Sequence, residues 1–489
     1  MALRWVTGKV DVRCRVCDRN HAQALVATVD VPWRDEPVRV ARCARCSSIV
    51  LDATEPELRS YTDDEIDWYV EHGAGLEAIA RTLAQVSSGS GSWVLDIGCG
   101  YGFALDIGAR VRGWEGIGVD PSPAVERGKT ELGLDLRKAQ FDDDLDVGTR
   151  PFDVVMASEV LEHTDDPRAF LAAIRRRMAP HGVLVLSTPD AHAVDPARPV
   201  DAVLATLYVG AHVALVHAKR LRTLLRKAGF RADVRSDDGT LLAIASPSRL
   251  GMRVARAGQP ADLAALQHYL SARAESAAPG SALAVGMAAR ALKLAVNLGN
   301  LPAAETAGRV LTTAVQVRHH IDITDPRTTS ARAGEHLPDV LVVAHYYLGM
   351  IELLLDRDNQ IAAEHFAAAS AVAGRNPPTA WSTENTIIEP HAIGHEALAR
   401  ARFDPEAVPA LFDRLQSFAT PDSALEQMEP TLRAHVLDAL VRRGALDVAE
   451  KLAPGITESL SPPASTAERW RRRGHRAVAA LTRRRPTRP

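Results

Sequence analysis

Aromatic residues and cysteines are scarce in this chain. Of its 489 residues only 5% are aromatic, and five are cysteines. So few cysteines in so long a chain do not predict a disulfide framework, which is typical of small secreted domains. No run of 18 apolar residues is present, so no transmembrane helix is expected. The beginning of the chain carries Arg4 and Lys9 without an apolar stretch, which is unlike a signal peptide, so we expect a cytoplasmic protein.

Charge of one sign does not dominate either. The formal net charge is −3, and 46% hydrophobic with 24% charged residues is an ordinary composition for globular domains. The charge is distributed unevenly along the chain, because residues 469–489 hold nine arginines and no acidic residue. A basic tail on an acidic body offers a weak case for contact with a polyanion. The alternative is a disordered tail that keeps the protein in solution.

Four of the five cysteines form two C-x-x-C pairs. Cys14 and Cys17 are followed, after 25 intervening residues, by Cys43 and Cys46. Two such turns brought together by a hairpin supply the four sulfur ligands of a tetrahedral zinc site. Four cysteines close the coordination sphere, so we expect a structural zinc rather than a catalytic one.

The middle of the chain alternates short apolar strands with helices, starting after the turn-rich residues 87–92. This alternation predicts a parallel sheet covered by helices. Two last strands, at 231–235 and 240–245, have no helix between them and predict an antiparallel edge. The residues that follow these strands are rich in alanine and predict only helices. They form either an irregular stack of helical hairpins close to the tetratricopeptide pattern or a generic helical bundle.

A glycine-rich loop follows the first of these strands and opens a helix. The glycines of residues 98–102 let the backbone approach a ligand where a Cβ atom would clash. Asp120 ends the next strand, where a carboxylate can accept hydrogen bonds from both hydroxyls of a ribose. Asp96 lies inside the first strand, and an acid there suits a positively charged ligand better than a pyrophosphate.

Four motifs in order resemble those of class I S-adenosyl-L-methionine-dependent methyltransferases. They are the glycine loop at 96–102, the second-strand motif at 118–122, the fourth-strand motif at 152–163 and the fifth-strand motif at 182–189. The resemblance implies a Rossmann-like seven-stranded methyltransferase core. With the cysteine pairs and the tyrosine-containing lead-in at 61–69, the chain resembles a branch that modifies sugars and other small metabolites.

The resemblance also implies roles for individual residues. The glycines of the loop would line the methionine end of S-adenosyl-L-methionine, Asp96 would reach its ammonium group and Asp120 would hold the ribose. The adenine contact stays open among Gln140, Phe141 and Asp142, because the usual Gly-Asp pair is absent. The predicted cofactor-binding residues are Asp96, Gly98, Cys99, Gly100, Gly102, Asp120, Gln140, Phe141 and Ser158.

Candidates for the chemistry follow the fourth strand, where open parallel sheets place their active sites. We predict His163 or Glu159 as a general base that accepts a proton from the methyl acceptor. The alternative is that this motif, with Glu162, only fixes the loop. The long segment 190–217 would form a lid or acceptor wall. Its histidines, which are acceptor contacts, a second base or solvated loop residues, are His192, His212 and His217.

The predicted function is methylation of a small-molecule acceptor, a sugar or secondary metabolite, with a helical domain that binds a protein partner. Two alternatives are a nucleic-acid methyltransferase and a methyltransferase-like scaffold. The predicted segments are a zinc ribbon at 1–52, a helical lead-in at 53–89, a methyltransferase domain at 90–247, an all-α domain at 248–460 and a basic tail at 461–489.

Overall fold

The computed structural model places the described residues in two compact units. The first unit spans Met1–Tyr269 and the second begins at Leu270. The predicted basic tail at 461–489 and Tyr61 of the lead-in lie outside the described residues. Those described are residues 1–52, 62–73, 75–142, 144–237, 239–256, 261–332, 335–375, 383–418, 424–454 and 456.

Twelve strands and eighteen helices make up this part of the chain. The strands are β1 (Ala2–Cys14), β2 (Arg19–Asp30), β3 (Val38–Arg42), β4 (Ile49–Leu51), β5 (Trp93–Ile97), β6 (Glu115–Asp120), β7 (Leu136–Lys138), β8 (Phe152–Ser158), β9 (Met178–Pro189), β10 (Ala214–Leu215), β11 (Arg231–Asp237) and β12 (Thr240–Ser246). The helices of the first unit are α1 (Asp63–His72), α2 (Leu76–Ala84), α3 (Phe103–Arg112), α4 (Ala124–Leu132), α5 (Pro167–Arg177), α6 (Val200–Leu207), α7 (Ala218–Lys227) and α8 (Arg249–Arg256), with α9 (Leu263–Ser276) running across the division. The helices of the second unit are α10 (Ala282–Asn297), α11 (Leu301–His319), α12 (Pro326–Ala331), α13 (Val340–Leu354), α14 (Asn359–Ala373), α15 (Thr383–Arg400), α16 (Val408–Gln416), α17 (Ala424–Arg443) and α18 (Leu446–Leu452).

A seven-stranded sheet forms the centre of the first unit. Its strand order is β11-β12-β9-β8-β5-β6-β7. The five strands from β9 to β7 in that order are parallel, whereas β12 is antiparallel to both β9 and β11. The predicted Rossmann-like core and its antiparallel edge are thereby confirmed.

The central strands are apolar because helices cover them. Leu95, Val155 and Leu184 come from three neighbouring strands and are completely buried. Continuous apolar runs of this kind are typical of parallel strands that have no solvent-facing side. The core therefore runs through the middle of the sheet, and polar residues gather where the strands end.

The glycine loop after β5 is packed tightly from one side by α4. A Cβ atom on Gly128 of that helix would lie 1.8 Å from the carbonyl oxygen of Tyr101 in the loop. Tyr101 is itself buried, and its hydroxyl donates a 2.6 Å hydrogen bond to Glu131 on α4. The position of the loop is therefore set by this close contact between helix and backbone.

A second, five-stranded sheet occupies the N-terminal part of the first unit. Its order is β1-β2-β3-β4-β10, so four strands come from the N-terminal residues and β10 comes from a distant part of the chain. The core beneath it combines valines of the N-terminal strands with Val203 and Leu207 of α6 and with Leu215. The segment predicted as an acceptor wall, 190–217, thus packs on the N-terminal sheet.

The four paired cysteines come together at one end of this sheet. Cys14 and Cys46 have their sulfur atoms 3.6 Å apart, and those of Cys17 and Cys43 are 3.7 Å apart. All four sulfur atoms lie within 4.8 Å of one another. Burial raises the pKa of the Cys17 thiol to about 11, and a bound cation would offset this by stabilising the thiolate. The number and chemistry of these ligands fit the predicted structural zinc.

The second unit is entirely helical in its described residues. Consecutive helices pack on one another, as in the pairs α10–α11, α13–α14 and α14–α15. Buried alanines such as Ala362 and Ala369 allow the close approach of these helices. Capping side chains set the start of two of these helices, since Asn300 caps α11 and Asp358 caps α14. The predicted all-α character of this region is confirmed. Among the described helices, none combines the length and apolarity needed to cross a bilayer.

We predict that Gly128→Ala destabilises the first unit although alanine favours helix. The gain in helix propensity is about 1 kcal/mol, whereas forcing the new methyl group against the Tyr101 carbonyl costs about 1–3 kcal/mol or more. Chemical denaturation should therefore show a lower free energy of unfolding. Lys129→Ala, at the exposed neighbouring position, is the control and should be neutral. Equal stability of both variants would contradict the contact.

We predict that Cys43→Ser removes the zinc. A structural site that loses one of four thiolates binds its ion far more weakly, so the content should fall from about one ion per chain to near none. Inductively coupled plasma mass spectrometry measures the content, and thermal unfolding should shift to lower temperature in parallel. Cys99→Ser, at the one cysteine outside the cluster, should keep its zinc.

Candidate functional site

The candidate site lies along the carboxyl ends of the parallel strands. The glycine loop follows β5, Asp120 ends β6, residues 139–142 follow β7 and Glu159 follows β8. Because β5 lies between β6 and β8, the strand order reverses there, and a reversal of this kind opens a crevice in doubly wound sheets. The fold therefore brings the predicted cofactor and catalytic residues to one edge.

The glycine loop is held open in a conformation that favours glycine. Gly98, Gly100 and Gly102 have φ values of 72°, 52° and 98°. A side chain at Gly98 would also meet the Val160 side chain at 2.3 Å. The backbone N–H of Gly100 donates to the Asp120 carboxylate at 3.0 Å. The loop and the end of β6 thus form one continuous cradle for a ligand.

Two carboxylates lie beside this cradle. Asp96 is 4% exposed, and burial together with the neighbouring Asp120 raises its pKa to about 8. Among the described residues none forms an ion pair with Asp96. Asp120 accepts hydrogen bonds from the N–H groups of Gly100 and Ser122. A buried carboxyl without a cationic partner is the kind of group that a positively charged ligand would satisfy.

Tyr69 belongs to this site, although the sequence motifs did not single it out. Burial raises the pKa of its phenol to about 12, with a further contribution from Asp96 and Asp120. Its ring lies 6.1 Å from that of Phe103, at the start of α3. Tyr69 therefore lies close enough to Asp96 and Asp120 to sense their charge, and an aromatic residue in a pattern of acidic neighbours was the available signal in the sequence.

The other predicted cofactor residues occupy different environments. Cys99 is buried next to β6, where a Cβ atom on Gly118 would lie 2.7 Å from its sulfur. Phe141 is 8% exposed, with its ring against Phe170 and the guanidinium of Arg177. Its aromatic surface is therefore occupied within the core.

Two polar candidates are open to solvent at the same edge. The side chain of Gln140 is exposed after β7, and Ser158 is exposed at the end of β8. Asp142, by contrast, accepts hydrogen bonds from the backbone N–H groups of Asp144 and Leu145. Its carboxylate therefore shapes the loop that follows β7.

Glu159 stands at a strained point directly after β8. Its φ of 54° is unusual for a residue with a side chain, and its carboxylate accepts a 2.8 Å hydrogen bond from the Ser187 hydroxyl. Glu162 is completely buried, and burial together with the Glu159 carboxylate holds its pKa well above the usual range. Its oxygen Oε2 accepts a 2.8 Å hydrogen bond from Thr188.

His163 is oriented by the backbone of the segment predicted as an acceptor wall. Its Nδ1–H donates to the Ala211 carbonyl at 2.9 Å, which leaves the lone pair on Nε2. Burial lowers its pKa below 6.5, so the imidazole is neutral at pH 7. A neutral imidazole with a fixed tautomer and a free lone pair is able to accept a proton.

His212 completes a cluster with Glu162 and His163. The His163 and His212 rings are 4.8 Å apart, and Nε2 of His212 lies 3.8 Å from the Glu162 carboxylate. Burial, and then the neighbouring His163, lower the pKa of His212 to about 3. Each of the three residues offers a ligand atom within 4.8 Å of the others, so this set could also hold a divalent cation.

The remaining histidines of the same segment serve other purposes. The backbone N–H of Lys219 donates to the His217 ring, which thereby caps α7. His192 is exposed in a single turn of 3₁₀-helix. The sequence could not single out His212 among the three, because its neighbours His163 and Glu162 come from a separate element.

Comparison with known proteins agrees with this geometry. Residues 69–233 match the family model described as a methyltransferase domain. The ubiquinone biosynthesis O-methyltransferase of Rhodopseudomonas palustris (strain BisB5) is 30% identical over 159 residues, which are 31% of this chain and 62% of that protein. The mitochondrial enzyme of the same name from Schizosaccharomyces pombe is 37% identical over 120 residues, 23% of this chain and 43% of its own length.

The chain thus spans less than two thirds of the length of these curated relatives. Among solved structures, an O-methyltransferase family protein from Burkholderia thailandensis is similar with a TM-score of 0.32 and 20% identity, over 40% of this chain and 64% of that one. The strand order, the glycine loop and the family match agree on one assignment. Residues 69–233 thus match a methyltransferase domain, and the strand order of this part of the chain agrees with that match.

Proposed function

We propose that this chain transfers a methyl group from S-adenosyl-L-methionine to a hydroxyl group of a small molecule. The observation that carries the proposal is the pair of carboxylates, Asp96 and Asp120, at the ends of adjacent parallel strands beside the glycine loop. This pair suits a ligand that carries both positive charge and ribose hydroxyls.

Each cofactor residue has a task that follows from its position. Asp96 would pair with the ammonium group, which satisfies a carboxyl that is otherwise buried without a cation. Asp120 would accept hydrogen bonds from the ribose, since its two carboxylate oxygens have lone pairs beyond those used by Gly100 and Ser122. Gln140 would meet the adenine edge, because it is exposed at the adjacent strand end.

Methyl transfer would require two contributions from the protein, which are positioning of the acceptor and removal of its hydroxyl proton. The bound cofactor supplies a methyl group already activated on a sulfonium. The crevice would hold the acceptor in line with that methyl, and such alignment supplies much of the rate of a displacement. His163 would accept the hydroxyl proton on Nε2, while the Ala211 carbonyl keeps its other nitrogen protonated. Glu159 lies next to this edge and would orient the acceptor or relay the proton.

The acceptor class is supported by the relatives rather than by the geometry. The named relatives are O-methyltransferases of ubiquinone biosynthesis, which favours a small-molecule hydroxyl as the acceptor. A sugar or another secondary metabolite is our proposed substrate. The all-helical second unit lies outside the matched residues, and we propose that it binds a protein partner.

We predict that Asp120→Asn weakens binding of S-adenosyl-L-methionine. A charged acceptor of two ribose hydrogen bonds is replaced by a neutral amide, so the Kd should rise about tenfold to a hundredfold. Isothermal titration calorimetry measures the Kd directly. Asp135→Asn is the matched control, because this exposed aspartate of the neighbouring loop pairs only with Arg137 in the described residues. Absence of binding to the wild type, or an unchanged Kd in Asp120→Asn, would refute the cofactor site.

We predict an acid limb in the pH profile that depends on His163. The base is the neutral imidazole, whose pKa lies below 6.5, so kcat/KM should be flat near neutral pH and fall only as the pH drops below that value. His163→Asn should lower kcat by about a hundredfold or more and remove this limb. Transfer of the labelled methyl group to extract of the source cell, with the product identified by mass, gives the acceptor for these assays.

His192→Asn is the control for that experiment. This histidine is exposed in the same wall segment, and its replacement should leave both kcat and the pH profile unchanged. A His163→Asn variant that keeps its activity and its acid limb would show that the residue only fixes the loop.

A further inference from the structure

The wall beside His163 is built partly by the N-terminal sheet. β10 pairs with β4 through Ala214 and Leu215, and the Leu51 N–H donates to the Val213 carbonyl at 3.3 Å. On the far side of β10, the His217 N–H donates to the Ser48 hydroxyl at 3.3 Å. The short stretch that carries His212 and the Ala211 carbonyl is therefore fixed in place by residues that follow the zinc-binding cysteines.

The turn between β2 and β3 brings a large aromatic side chain to the same wall. Trp33 is 54% exposed, although it is among the largest apolar side chains of the protein. Its indole lies over Gly210, where an added Cβ atom would be 3.3 Å from the ring. Val31, just before the turn, is buried with Val209 in the core between the sheet and α6. The indole is thus held at the wall by its neighbours while its own surface stays open.

The wall segment is also strained where Trp33 meets it. Tyr208 has a φ of 32°, which is rare for a residue with a side chain, and the N–H groups of Ala211 and His212 both donate to its carbonyl. This tight turn aims the Ala211 carbonyl at His163. Strain of this kind persists only where the surrounding structure enforces it and is frequent at ligand sites.

Two ring contacts lead from Tyr208, in the segment that Trp33 covers, to the proposed base. The Tyr208 ring lies 5.3 Å from that of His212, which lies 4.8 Å from that of His163, and both pairs are edge to face. Trp33 covers Gly210, between Tyr208 and His212 in the chain. Sites that recognise planar ligands combine such apolar ring surfaces with a few polar groups.

We propose that Trp33 contacts the methyl acceptor and selects acceptors that carry a planar ring next to the reacting hydroxyl. The inference rests on the proposed function of the crevice, and it assigns to the N-terminal sheet a role in substrate choice beyond holding a zinc ion. Trp33 lies outside the residues that match the methyltransferase domain. Substrate selection would then come in part from residues outside the matched domain.

Two flat diols, catechol and 2,3-dihydroxynaphthalene, serve as probes. Each is titrated by calorimetry into the full chain saturated with S-adenosylhomocysteine, so that no methyl transfer occurs. Loss of one stacking partner should weaken binding of the larger diol about tenfold in Trp33→Ala, and Trp33→Phe should restore most of the affinity. Trp33→Gln is a second variant that removes the ring while keeping a large side chain. Affinity for S-adenosylhomocysteine should stay unchanged in all three.

Leu250→Ala is the matched control, because this leucine is 52% exposed on α8. Its replacement should leave diol binding unchanged. Equal affinity of Trp33→Ala and wild type, or failure of both diols to bind a wild type that binds S-adenosylhomocysteine, overturns the role of Trp33 and leaves the proposed function standing. Tighter binding of methyl glucoside than of either diol overturns the planar-ring selection. Failure of S-adenosylhomocysteine itself to bind overturns the proposed function, and the inference with it.

Discussion

The reversal of strand order at β5 is the constraint on which the candidate site depends. β5 pairs with β6 on one side and β8 on the other, so the chain leaves their carboxyl ends in opposite directions and cannot fill the space between them. Asp96 and Asp120 lie on one side of that space and Glu159 on the other. The tight contact of α4 with the glycine loop fixes the loop at one border of this space, because the loop backbone cannot move towards the helix.

The pairing of β10 with β4 stabilises both the edge of the N-terminal sheet and the segment next to His163. β4 would present unpaired backbone groups as an edge strand, and such edges invite association with other chains. β10 covers it with only two residues, and the same pairing fixes the turn that orients His163. Because the cysteine cluster lies just before β4, a zinc ion held there would stabilise the N-terminal hairpins and, through β4 and β10, the segment that orients His163.

The sequence predicted the parts of the molecule whose signals are local. Each of these signals is contained within a few neighbouring residues. They are the apolar runs of the central strands, the glycines of the loop, Asp120 at a strand end and the paired cysteines. Glu162, His163 and His212 could not be brought together in this way, since their contact depends on the register of the two-residue strand β10. A strand so short has no periodicity to read, and one residue of slip would turn its side chains to the other face.

The sequence did not predict the contact of Trp33 with the wall segment, for a related physical reason. An isolated tryptophan in a turn between two prolines is a common surface feature, and nothing near it in the sequence points to Gly210. Phe141 is the opposite case, because its place after the third strand suggested a cofactor contact while Phe170 and Arg177 occupy its ring. Position along a strand specifies which edge a residue reaches, and packing decides whether its side chain is available there.

Burial acts on the two sides of the crevice with opposite signs, and this opposition suits methyl transfer. It raises the pKa of Asp96 to about 8 and lowers that of His163, so each group resists the charged form until a partner arrives. Asp120 works against burial at His163, since its carboxylate raises the pKa of that imidazole. Under the proposed function, methyl transfer would remove the positive charge of the sulfonium, and the proton taken by His163 would place a positive charge on its imidazole. The Asp120 carboxylate would stabilise that imidazolium while Asp96 stays paired with the ammonium group, so the two carboxylates would serve different charges.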